Sequence, residues 1–101
     1  MTKGNRLMAA YFIGSIKSHD EAWVADYMAA VPALVGRHGG ELVCRSNQFV
    51  RYEGEGTEPD YVVVIEFPSM EAIDAFMNDP DYAPHKDARI ACTTSDIFAI
   101  A

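Results

Sequence analysis

Basic side chains are scarce in this sequence. Eight lysines and arginines stand against fifteen aspartates and glutamates in 101 residues, a net charge of −7. That balance repels polyanions, so neither nucleic acid nor an acidic membrane surface is an expected partner. Cysteine is nearly absent. Cys44 and Cys92 are too few for a disulfide scaffold and no Cys-x-x-Cys pair occurs, which fits two reduced thiols in a cytoplasmic protein. Long apolar runs are missing: no stretch approaches the ~18 residues of a membrane span. Leu7 to Ile13 is apolar and follows Lys3 and Arg6, but it is short, has no small-x-small cleavage site, and reads as a strand rather than a secretory leader. Catalytic signatures are lacking too, with no Gly-x-Ser-x-Gly, no His-Glu-x-x-His and no phosphate loop. Gly54 and Gly56 lie in an acidic turn that would repel phosphate. His19, His38 and His85 have no ligand spacing, so neither a metal site nor a cofactor is expected.

What is present describes one α+β domain over residues 7–101, preceded by a flexible polar segment, 1–6. Residues 7–17 (LMAAYFIGSIK) form a first strand. Ser18 and Glu21 have capping-box spacing and open a helix. Trp23, Tyr27, Val31, Leu34 and His38 follow at steps of three and four and make one stripe. Pro32 predicts a kink or break near Ala29 to Pro32, because proline removes a helical hydrogen bond. Gly39-Gly40 ends the helix. A second strand covers 41–46 and resumes at 49–52, with a bulge at Asn47-Gln48. The turn at 53–60 carries four acids and no apolar residue, so it should be mobile with nothing to bury. Residues 61–67 (YVVVIEF) are the strongest strand. Ser69 caps a helix bearing Ile73, Phe76 and Met77. Asp79-Pro80 starts another short turn or helix over about 80–89, and 93–100 is the last strand.

The order βαββαβ predicts a ferredoxin-like sandwich, a four-stranded antiparallel sheet in the order 4-1-3-2 with two helices on one face. Its central strands are apolar on both sides. Val62, Val64, Tyr11 and Ile13 occupy the face the helices do not cover, if Phe67 points to the helices. An exposed apolar face of that size marks an interface, and a homodimer through the sheet face is the simplest partner. Cys44 and Cys92, on opposite edges, are then too far apart to bridge.

His38-Gly39-Gly40-Glu41-Leu42, the corner Val64-Ile65-Glu66-Phe67-Pro68-Ser69, and Asp79-Pro80-Asp81-Tyr82 followed by Arg89 resemble the domain of unknown function 1330 family over residues 8–101. At its end the chain has Ile100-Ala101 where the family pattern has an acidic-glycine tail. The resemblance implies a small dimeric α/β-barrel, a ferredoxin-like subunit packed sheet to sheet. It implies no reaction, since the wider superfamily holds cofactor-free monooxygenases, haem-handling enzymes, isomerases and proteins without known catalysis.

Three residues are catalytic candidates. His38 either caps the helix carbonyls and favours the dipole there or serves as a base at a pocket mouth. Arg89 either makes a structural salt bridge or carbonyl contact or holds a carboxylate or enolate by a bidentate contact. Glu66 is a general base or the partner of Arg45 or Arg51 across a dimer. Trp23, Tyr27 and Tyr82 are candidate ligand-binding residues walling an apolar pocket between helices and sheet, or plain core. Two function classes follow: a cofactor-free enzyme acting on a small organic acid or aromatic, and a non-catalytic dimeric ligand-binding or structural module.

Overall fold

Alternation of side chains along the strands decides which residues enter the core. The computed structural model describes residues 9–101, so the polar segment 1–6 and the first two residues of the predicted opening strand, Leu7 and Met8, lie outside the described residues. The first strand, β1, spans Ala10–Ser18 and buries Ala10, Phe12, Gly14 and Ile16, every second residue. Helix α1 spans Val24–Arg37, strand β2 Glu41–Ser46, strand β3 Tyr61–Phe67, helix α2 Met70–Met77, helix α3 Ala83–Cys92 and strand β4 Thr93–Ile100. The sheet is antiparallel in the order β2-β3-β1-β4, as the chain order predicts. Three helices rather than two accompany it. Phe67 is buried among Phe12, Val35, Ile73 and Phe76, so it does face the helices. Phe76 stacks on Tyr82 with ring centroids 4.3 Å apart and meets Phe12 edge-on at 6.1 Å, which ties both later helices to the sheet.

Four local expectations are corrected. Ser18 does not cap the helix. It still pairs with Thr93 in the β1–β4 ladder, and its hydroxyl accepts from Trp23 Nε1 at 3.1 Å. Asp20 caps instead, accepting from the Ala22 N–H at 2.9 Å to open a 3₁₀ turn over Glu21–Trp23. Of the kink or break expected near Pro32, the break does not occur: α1 continues through the proline. Met28, whose carbonyl loses its partner, lies on the exposed side, while buried Val31, Leu34 and Val35 hold the turn in place. The second strand does not resume at 49–52, because Ser46 Oγ accepts from the Gln48 N–H at 3.0 Å and turns the chain away. The irregularity in that strand falls between Leu42 and Cys44, not at Asn47-Gln48. The turn expected at Asp79-Pro80 is present and leads into the last helix, whose regular part begins at Ala83. Asp79 organises a preliminary turn, its carbonyl taking the N–H groups of Tyr82 and Ala83.

The acidic segment 53–60 does bury something. Pro59 is buried, and Asp60 anchors the end of the loop to β1: its N–H donates to the Ile16 carbonyl at 2.7 Å and its carboxylate accepts from the Ser18 N–H at 2.8 Å.

Gly39-Gly40 closes α1 as expected. Gly39 has φ +82, and the N–H groups of Gly40 and Gly39 reach the carbonyls of Val35 and Gly36 at 2.9 and 3.0 Å, a Schellman closure. A Cβ at Gly39 would lie 2.8 Å from the Pro68 ring. Gly39→Ala should therefore lose about 1–3 kcal/mol by urea unfolding. Gly36→Ala, inside the helix with nothing within 4 Å of the added methyl, should gain about 0.5–1 kcal/mol.

The opposite face of the sheet carries no helix. Ile13 pairs with Val64 on one side and Phe98 on the other, and Tyr11 pairs with Ile100, so these apolar side chains lie in rows across neighbouring strands. Phe98 and Ile100 are 52% and 54% exposed.

Candidate functional site

Between the helices and the covered sheet face lies a cavity of about 270 Å³. Its floor is the inward side of the central strands, Phe12, Ile16, Val63 and Ile65, with Ile97 of β4. Its roof is the stripe at the start of α1, Trp23, Tyr27 and Val31. Trp23 and Tyr27 meet edge to face at 5.0 Å. Gly14 keeps the floor low: a Cβ there would come within 3.0 Å of Val63 and Ile97, which both line the cavity.

Few polar groups reach this apolar space. Arg89, in the last turns of α3, is only 3% exposed. Its guanidinium interacts with the phenols of Tyr27 and Tyr82, which share a hydrogen bond of 2.8 Å. Burial first, then the neighbouring Tyr82, pushes the Tyr27 phenol above its ordinary value, with Arg89 opposing only in part, so Tyr27 stays a neutral hydroxyl. Burial works against the charge on Arg89, yet the Tyr82 and Tyr27 oxygens hold its proton more tightly than usual. Among the described residues no carboxylate pairs with Arg89, and its Nε–H is buried without an acceptor. A buried charge left in that state is expensive. At the other wall Arg45 lies over the Tyr61 ring, 4.7 Å from its centroid.

Of the residues singled out in the sequence, Trp23, Tyr27 and Arg89 come together around the cavity, and Tyr82 stands directly behind Tyr27 as fully buried support. His38 and Glu66 are not brought to it. His38 closes α1 and its Nε2–H donates to Asp79 Oδ2 at 2.8 Å. Arg37 donates to the same Asp79 oxygen at 3.0 Å and to Asp81 at 2.9 Å. Glu66 lies on the open sheet face, between Tyr11 and Glu41 in register. Within the subunit, Arg45 lies at the cavity wall and Arg51 packs on the Phe49 ring. Simple alternation along β2 does not mark Arg45 as inward. Leu42 and Arg45 both pair with inward residues, Ile65 and Val63, only because Val43 is an extra residue between them.

The His38 cluster gives a pH expectation. The His38 hydrogen bond, then the Asp81 N–H, hold the Asp79 carboxyl below its ordinary value, and the Ser18 N–H and Lys17 do the same for Asp60. A carboxylate whose folded value lies below its unfolded one, near ~4, stabilises above that value. The contribution is lost as pH falls through the folded value. Urea midpoints should thus drop as pH is lowered below about 4. Asp79→Asn should lower the midpoint at neutral pH and flatten this acid limb, while Asp60 keeps part of the slope.

Among the described residues no three His, Cys, Asp or Glu side chains stand together to hold a metal ion, and no helix is long and apolar enough to cross a membrane. Both cysteines are free thiols.

Over residues 9–101 the sequence matches the family described as Domain of unknown function (DUF1330). The chain belongs to this family. No curated protein matches it. Its fold is shared by the RPA0582 protein of unknown function from Rhodopseudomonas palustris, at 18% identity and a TM-score of 0.78, covering 96% of this chain and 87% of the other. It is shared as well by SnoaB from Streptomyces nogalater, a cofactor-independent oxygenase, at 20% identity and a TM-score of 0.66, with 93% and 92% covered. At such identities the likeness of this DUF1330 member to both structures concerns the fold.

Proposed function

We propose that this DUF1330 protein binds a small aromatic or otherwise largely apolar organic acid in the cavity between α1, α3 and the sheet, with Arg89 as counter-ion. The observation that carries this reading is buried Arg89 at the wall of an apolar cavity, with no carboxylate partner among the described residues and an unmade Nε–H. A carboxylate, phenolate or enolate placed there accepts a charge-assisted hydrogen bond from Arg89 and a further one from the Tyr27 hydroxyl. A volume of about 270 Å³ exceeds the ~150 Å³ that holds a benzene, so a substituted ring fits. The Arg89 charge stabilises an enolate or phenolate relative to its conjugate acid, which eases transfer of that acid's proton to water, the step a cofactor-free enzyme on such an acid requires. The fold of SnoaB, a cofactor-independent oxygenase, hosts chemistry without a cofactor.

A second reading is binding without turnover. It is favoured by the absence of any carboxylate or imidazole in the cavity lining among the described residues. In both readings the working unit is a cytoplasmic homodimer through the open sheet face.

Trp23 is the sole tryptophan and lines the cavity, so its fluorescence reports occupancy. Titration with salicylate should change that emission saturably, and methyl salicylate, which lacks the charge, should bind at least ~10-fold more weakly. Val63→Trp, which fills the floor, should abolish binding in a folded protein, as followed by ligand-detected NMR. Equal binding of acid and ester would overturn the counter-ion role. Across a panel of enolisable acids, solvent-deuterium incorporation separates turnover from binding alone.

A further inference from the structure

Arg89 reaches a second recess. A cavity of about 390 Å³ beside α3, over β4 and the end of α2, is lined by Lys86, Arg89, Ile90, Thr93, Ser95 and Ile97 among others. Arg89 and Ile97 belong to the walls of both cavities. In a chain of net charge −7, this recess has two cations and, among the described residues, no carboxylate in its lining. Lys86 donates to the Met77 carbonyl at 3.2 Å, which uses one of its three N–H groups and holds the side chain along the recess. The Thr93 hydroxyl donates to the Arg89 carbonyl at 2.6 Å and is hydrogen-bonded to Ser95, so these hydroxyls brace the end of α3. Recognition of a ligand falls to the two cations. Arg89 lines both cavities, and its Nε–H is buried without an acceptor.

We propose that the outer recess is a second anion site, taking a small oxyanion of the carboxylate or phosphate class between Lys86 and Arg89. We further propose that its occupancy weakens binding of the acid in the inner cavity. One guanidinium serves both sites, and two anions on either side of it repel each other through a poorly screened interior. The coupling is reciprocal: the inner acid weakens the outer anion by the same factor. The outer site stands on its own geometry, whereas the coupling rests on the inner-cavity reading above.

The test uses inorganic phosphate and acetate as outer probes and salicylate as the inner one, at constant ionic strength held with chloride. Backbone amide NMR should show saturable shifts at Lys86, Arg89 and Ser95 with at least one of the two outer probes, and the stronger of the two names the anion. Lys86→Met should remove these shifts and leave salicylate binding, read by Trp23 fluorescence, unchanged. Saturating outer anion should weaken salicylate about 5-fold or more in the wild type and not in Lys86→Met. Absence of saturable shifts with both probes overturns the site, as does their persistence in Lys86→Met. Outer binding with unaltered salicylate affinity overturns the coupling. Failure of salicylate to bind, with phosphate or acetate shifts intact, upholds the outer site and overturns the inner reading and the coupling with it.

Discussion

Arg89→Met should yield a protein at least as stable as the wild type that has lost its affinity for anionic ligands. A buried ion without a carboxylate partner is a desolvation cost that the phenols of Tyr27 and Tyr82 offset only in part. Methionine fills much of the same volume, needs no partner and adapts to an irregular gap. The Tyr27–Tyr82 hydrogen bond does not involve Arg89 and survives the change. Replacing buried ionic groups by apolar ones of similar size stabilises by about 1–4 kcal/mol where it stabilises at all. Since the phenols offset part of the burial here, about 1–2 kcal/mol is expected, read as a rise of several degrees in Tm. Salicylate affinity should fall by at least ~30-fold, because truncating one partner of a buried charge pair costs 2 kcal/mol or more. Arg89→Lys should fall between, supplying a charge without the planar fork. A loss of more than about 2 kcal/mol in Arg89→Met would show that Arg89 is a structural tie. It would also remove the observation on which the binding reading stands.

Wild-type protein should sediment as a dimer at micromolar concentration, and Val64→Lys should dissociate or precipitate it. Val64 sits in the middle of the open face, between Ile13 and Cys44, with Phe98 in the same row beyond Ile13. Tyr11, Ile100 and Val62 extend the apolar area to either side. Covering roughly 400 Å² of it per subunit contributes on the order of 10 kcal/mol per subunit before association entropy. A second copy is the fitting occupant because a two-fold interface asks the same patch to be complementary to itself, and a flat apolar sheet face meets that demand. In a self-complementary interface each lysine appears twice, so two ammonium groups are desolvated together. Asp74→Lys, on the exposed side of α2, makes a larger positive change, two units against one, away from the sheet and should still leave a dimer. A monodisperse wild-type monomer would reject the homodimer while leaving the subunit fold untouched.

Much of the fold was legible because its signals are local. Period-two alternation marked β1 and β3, the turn Pro68-Ser69 marked the Ser69 cap, and the glycine pair marked the end of α1. Strand order then followed from connectivity, since few topologies accommodate βαββαβ. Three of the six singled-out residues, Trp23, Tyr27 and Arg89, do line the cavity, two of them because a helical stripe puts them on one face. Ser18 and Asp20 illustrate the limit. Both are good capping residues, and what decided between them was the pairing of Ser18 with Thr93 on a strand far along the chain.

By itself, then, the sequence determined the elements, their order and the two-sided apolar character of the sheet, all of which depend on residues a few positions apart. Only the tertiary structure decided what each candidate does. His38 became a helix-end contact because Asp79 arrives beside it. Arg45 entered the cavity through an extra residue at Val43 that shifts the register of an edge strand. Arg89 became a buried cation without a carboxylate because α3 starts at Ala83, runs on to Cys92, and lays its last turns against Tyr27. Charge burial and partner choice depend on which distant groups share a low-dielectric space, and no spacing along the chain encodes that neighbourhood.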